Sequence, residues 1–113
     1  MDFNEYQRAA IEHAVYPNKG QNLIYPALGL AGESGETVDK IKKYWRNHGA
    51  TKLTDLTHEQ RKALLAEIGD VLWYVSALSF ELGCPLEIVA MDNIAKLNDR
   101  VARNVIKGEG DNR

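Results

Sequence analysis

The stretch ALGLAGESGETVDKIKKYW, Ala27 to Trp45, has helical spacing broken by three glycines, Gly29, Gly32 and Gly35, about one turn apart. Each glycine costs a helix interior about 1 kcal/mol relative to alanine. Two acids, Glu33 and Glu36, stand among them. At 100° per residue, Gly29, Glu33, Glu36, Lys40 and Lys43 fall within an arc of about 80°. Gly29 lies one turn above Glu33 on that face, so it clears space beside the carboxylates for a ligand or another backbone. Gly32 and Gly35 lie to one side, suited to the close approach of a neighbouring helix.

Working outward, the chain reads as four helices. The first runs from about Asp2 to Val15, with Asp2 and Glu5 resembling a capping box and Phe3, Tyr6, Ala10 and Ala14 forming an apolar stripe. YPNKGQN supplies a turn. The second helix starts between Asn22 and Pro26 and stops near Asn47, before Gly49. Thr57 and Gln60 make another capping box ahead of a third helix over 58–82, closed by Gly83. Pro85 opens a fourth, reaching to about Lys107, and GEGDNR has the composition of an unpacked tail over about 108–113. The fold class is all-α, a single domain over 1–113. From Val71 to Leu82 the third helix, VLWYVSALSFEL, is apolar on nearly every side. Such a helix is buried all round. Three companions hardly suffice, so the bundle is expected to be completed by homo-oligomerisation.

The third helix repeats the acidic theme in EIGD. Glu67 and Asp70, three apart, share a face, with Tyr74 one turn beyond and the small Ala63 and Ala66 just before. Four acids brought together repel one another unless a cation lies between them. Oxygen ligands without His or Cys select hard cations, Mg²⁺, Mn²⁺ or Ca²⁺. Mg²⁺ commonly completes its shell from substrate phosphates. The pattern therefore predicts a divalent-metal site that receives a polyphosphate. The plainer reading is a solvated face on which Glu33 and Glu36 pair with Lys40 and Lys43. A di-iron bundle needs Glu-x-x-His; the residues three before His13, His48 and His58 are Ala10, Trp45 and Asp55. On the fourth helix Asn93, Lys96, Arg100, Arg103 and Lys107 make one basic stripe, able to bind phosphate if it faces the acids.

Charge and composition narrow the partners. A net charge of −2 provides no global field for nucleic acid or an anionic membrane. The lone Cys84 has no partner within the chain for a disulfide, which suits a reducing compartment. The N-terminus lacks the apolar run of a signal peptide, and no stretch reaches about 18 consecutive apolar residues, the minimum for a span. A cytoplasmic protein is expected, with neither nucleic acid nor membrane as partner.

YPALGLAGESGETVDKIKK, followed by LLAEIGDVLWYVSALSFELG and DNIAKLNDR, resembles the MazG-like all-α nucleotide pyrophosphohydrolases over about residues 20–105. Their pattern of ExxE on one helix and ExxD on the next falls here on Glu33/Glu36 and Glu67/Asp70. The resemblance implies a MazG-like four-helix bundle, assembled as a homodimer or homotetramer with sites lined by more than one subunit. It implies Mg²⁺-dependent hydrolysis of a nucleoside or deoxynucleoside triphosphate to the monophosphate and pyrophosphate, with Glu33, Glu36, Glu67 and Asp70 holding the metal. Tyr74 matches a tyrosine one turn after the last acid in that family. Asn93 and Lys96 fall where a polar–basic pair lies near the phosphates. Thirty residues separate Glu36 from Glu67, toward the long end for the family, so the pocket rim is expected to differ.

Such chemistry needs neutralised phosphate oxygens, a positioned water and a proton acceptor. Glu33 or Glu36 is the expected base; Lys40, Lys96 and Arg100 are candidates for phosphate charge. Trp45, Trp73, His48 and Asn22 are candidates for base contact. The rival from another class is a nucleotide-sensing or interaction module that keeps the fold without turnover.

Overall fold

The computed structural model describes residues 1–103. These form four helices: α1 (Phe3–Ile11), α2 (Ile24–His48), α3 (His58–Glu81) and α4 (Leu86–Ala102), with a 3₁₀ turn at Leu53–Asp55 before α3. The extension of α4 to Lys107 and the tail at 108–113 lie outside the described residues.

Local chemistry sets the ends. The Asp2 carboxylate accepts from the Glu5 N–H at 2.8 Å, which satisfies one of the orphan donors of a helix start. α1 stops at Ile11 rather than Val15, because the chain turns there to bury Ala14 and Tyr16 while Val15 stays in solvent. The Asn22 side chain accepts from the N–H groups of Ile24 and Tyr25, both at 3.1 Å, at the start of α2. Pro26 follows in the first turn, where a missing N–H matters little. Gly49, at φ 68°, closes α2 by turning its N–H back to Trp45 O. Thr57 and Gln60 form the reciprocal capping box, at 3.1 and 2.9 Å. Pro85 has no side chain to cap α4, and α1 does that work instead. Gln7 accepts from the Leu86 N–H at 3.1 Å, and Asn4 takes the Glu87 N–H at 3.4 Å while donating to its carboxylate at 3.1 Å.

α2 and α3 lie antiparallel, since Gly29 meets Tyr74 at one end and Lys40 meets Glu67 further along. α1 packs on α3, and α4 on α1 and α3. The small Ser76, Ala77 and Ser79 of α3 are the buried seam against which these helices close. Gln7 also donates to Ser76 O at 3.2 Å, locking α1 to that seam.

Within one chain α3 is not covered on all sides. Phe80, Ile68 and Leu65 keep open faces, as do Leu28, Val38 and Trp45 on α2 and Met91 and Ile94 on α4. The radius of gyration is 16.9 Å, against about 13 Å for a compact domain of this length. By length and composition α3 alone among the described helices reaches what a bilayer crossing requires, with a mean hydropathy of 1.4. Two carboxylates in its middle, Glu67 and Asp70, face Glu33 of α2, and acids inside a membrane are expensive.

Candidate functional site

The site is built where the middles of α2 and α3 face each other. Helical spacing puts Glu33 and Glu36 one turn apart on α2 and Glu67 and Asp70 one turn apart on α3. Glu33, Glu67 and Asp70 each bring a carboxylate oxygen within 4.8 Å of the other two. Oε2 of Glu33 and Oε2 of Glu67 are buried and accept no hydrogen bond. Glu36 is exposed beside Glu33. Lys40 stands 3.6 Å from Oε1 of Glu67 and brings a positive charge to the site.

The electrostatics follow from this crowding. Burial first, then the charges of Glu36, Asp70 and Glu67, push the Glu33 carboxyl above the usual carboxylate range. On the rim, burial and the nearby Asp70 raise the Tyr6 hydroxyl, and burial, Tyr25, Glu33 and Asp70 raise that of Tyr74. Two buried acceptors without donors, in a group made only of oxygen ligands, are what a hard divalent cation would satisfy.

The structure shows what surrounds the glycines and the α4 residues. Gly29 does clear space, but the Tyr74 ring fills it: a methyl at Gly29 would overlap Cε1, Cζ and Cδ1 of that ring. Gly29 therefore seats a side chain from α3 rather than leaving a gap for a ligand. Gly32 and Gly35 have no neighbour within 4 Å of an added methyl, so no helix of this chain approaches them. The α4 stripe is not one exposed face. Asn93 and Lys96 are in solvent around a shallow depression shared with Val89 and Asp92, whereas Arg100 is drawn in to 4 % exposure. A long guanidinium stem can fold onto apolar surface from the edge of a stripe. The charges acting on Glu33 are all acidic. Lys107 lies outside the described residues.

Of the base-contact candidates, Trp73 donates its indole N–H to Ala10 O at 3.1 Å and Asn22 caps α2, so both have structural tasks. Trp45 remains 61 % exposed. Residues that sequence reasoning passed over are Tyr6, Tyr25 and Glu81. Tyr25 had a signal, because it continues the 25, 29, 33, 36 spacing of the acidic face. Glu81 had none. It accepts from Tyr16 Oη at 2.6 Å and from the N–H groups of Gly20 and Asn22, both at 2.7 Å, pinning a loop more than fifty residues away in sequence.

No solved structure matches the chain. It is 42 % identical to the Gene 37 protein of Mycobacterium phage L5, with both chains covered end to end. The family model for the MazG nucleotide pyrophosphohydrolase domain matches residues 21–104, the span that carries both acid pairs and α4. This chain therefore belongs to the MazG nucleotide pyrophosphohydrolase family.

Proposed function

We propose that this chain hydrolyses a nucleoside or deoxynucleoside triphosphate to the monophosphate and pyrophosphate, using Mg²⁺, or Mn²⁺ in its place. The observation that carries the reading is the pair of buried oxygens, Glu33 Oε2 and Glu67 Oε2, that accept no hydrogen bond. Glu33, Glu67 and Asp70 would hold the ion, with Glu36 as the fourth acid at its edge. When bound, such an ion neutralises phosphate oxygens and activates water.

The chain's own groups supply the rest. Glu36 is exposed and stands outside the three converging oxygens, so its carboxylate is free to take the proton of the attacking water. Water adds at the α- or the β-phosphorus, the bridging P–O bond between the two phosphorus atoms breaks, and the monophosphate and pyrophosphate separate. Lys40, beside Glu67, can turn to a phosphate oxygen once that acid has another partner. Tyr74, seated over Gly29, forms one wall of the space.

The open protomer supports a homodimer or homotetramer. A second copy would cover the exposed Leu28, Val38, Ile68, Met91 and Ile94. It would also bring Asn93 and Lys96 of one α4 toward the acids of another chain. We read residues 1–113 as one domain, working in the cytoplasm on the nucleotide pool.

The test is pyrophosphate release from a panel of ribo- and deoxyribonucleoside triphosphates. Release is expected only with Mg²⁺ or Mn²⁺, and Glu36→Gln is expected to lower turnover by about 10²–10⁴-fold without unfolding the protein. Full turnover in Glu36→Gln would remove it as the base. A wild-type protein that binds nucleotide and releases nothing would instead support a sensing module.

A further inference from the structure

A line of aromatic rings leads from the well-anchored end of α3 to the acids. Tyr16 is buried, and its hydroxyl is held by Glu81 at 2.6 Å. Its ring stacks on that of Tyr25, with centroids 4.9 Å apart and planes at 14°. Tyr25 in turn lies 6.5 Å from Tyr74, the ring seated over Gly29 beside Glu33. Tyr16 thus backs one face of Tyr25, while 43 % of Tyr25 remains open to solvent.

Tyr25 stands on the same face of α2 as Glu33 and Glu36. At 1.5 Å per residue it is about 12 Å from the first and about 16 Å from the second along the axis. Between them the Tyr74 ring covers Gly29, while Gly32, to one side, has nothing within 4 Å of an added methyl, so a ligand reaching from Tyr25 to the acids would pass Tyr74 on the Gly32 side. A stacked ring is a poor thing to leave wet, because a tyrosine body gains from covering its apolar face. Glu81, through Tyr16, fixes the orientation of the ring in advance, so little ordering is needed when a flat ligand arrives.

We propose that Tyr25 is the platform on which the nucleobase of the substrate stacks, with the sugar and phosphates passing Tyr74 on the Gly32 side to reach Glu33 and Glu36. The inference rests on the nucleoside triphosphate reading above. It makes Tyr25 a specificity-determining residue for a nucleoside over a bare polyphosphate. Stacking tolerates any base, because each has a π face, so the platform selects for the presence of a base.

The test is calorimetric binding, with Mg²⁺, of a non-hydrolysable α,β-imido deoxynucleoside triphosphate and of inorganic tripolyphosphate, which has no base. Replacing Tyr25 by Leu is expected to weaken nucleotide binding about tenfold or more, leaving tripolyphosphate unchanged. Tyr25→Phe is expected to keep both, and Tyr25→Trp to tighten the nucleotide alone. Should Tyr25→Leu fail to fold, the Phe and Trp variants decide. Equal weakening of both ligands, unchanged nucleotide affinity, or a wild type that binds the nucleotide no better than tripolyphosphate would overturn the platform while leaving the metal site standing. A wild type that binds neither ligand would overturn the functional reading and the platform with it.

Discussion

Two carboxylates of α3, four turns apart, live in opposite worlds. Glu81 at the helix end is met by one hydroxyl and two backbone N–H groups. Burial acts to raise its carboxyl, but those donors outweigh it and hold it below the usual range. Glu67, in the middle of the same helix, faces Glu33 and Asp70, and has one oxygen with no donor at all. Residue type is the same in both places, so the surroundings decide the task. Where every acceptor is matched, a carboxylate fastens the fold. Where acceptors outnumber donors, it waits for a ligand, and the fold bears the strain.

The largest effect expected from disturbing that contrast is at the fastened end. Glu81→Ala leaves the Tyr16 hydroxyl and the N–H groups of Gly20 and Asn22 without their acceptor, and should cost about 2–3 kcal/mol in urea unfolding at neutral pH. The pH sign follows from the lowered carboxyl. An unfolded Glu titrates near 4.5 and the folded one lower, so the stabilisation is complete above 4.5 and lost as pH falls through the folded value. The difference between wild type and variant should therefore narrow below that pH. An unchanged difference would mean that the charge plays no part.

Next in size is the seat of Tyr74. Gly29→Ala, despite the better helix propensity of alanine, should destabilise by about 1–3 kcal/mol, because the methyl meets a packed ring. Gly32→Ala, with open space above it, should stabilise by about 0.5–1 kcal/mol within the single chain. Thermal melts of the pair separate the two roles, and stabilisation in both would end the claim that Gly29 seats Tyr74.

The smallest effect is the most telling. Glu33→Gln should raise the Tm of the metal-free protein at neutral pH, and should abolish turnover when Mg²⁺ is supplied. The Glu33 carboxyl is raised by burial and by Glu36, Asp70 and Glu67. It therefore favours folding below the unfolded carboxylate's pKa, and that contribution is lost as pH rises through its folded value. Glutamine carries no such charge, so its advantage should fade on acidification. A lower Tm at pH 7 would show that the acidic end is a source of stability like the other.

What could be read from the sequence was what short spacing encodes. The stops at Gly49 and Gly83, the Thr57–Gln60 box and the Asp2 cap are local chemistry, and the helices begin or end there. The meeting of Glu33 with Glu67 and Asp70 was also legible, since two ExxE-like faces flanked by small residues have few other ways to pack. The rest depends on distance along the chain. Gln7 capping α4, Glu81 holding the 20–22 loop and Tyr74 lying over Gly29 join residues dozens of positions apart, and no periodicity announces them. Glycine was the hardest residue to interpret. Its spacing marks a need for space, and only the packed neighbour says whether a ring, a helix or nothing fills it. On α4, periodicity gives a side chain's bearing, while burial of Arg100 depends on what its flexible stem can reach.

The indole of Trp73 has an optical consequence. It is held by Ala10 O and meets Tyr74 edge-on with centroids 5.0 Å apart, one ring removed from the acids. The only other tryptophan, Trp45, sits in solvent near the far end of α2. With Trp45 replaced by phenylalanine, the protein would carry a single indole fluorophore wedged between two helices. Its emission would then report the arrival of ions or substrates without any attached dye.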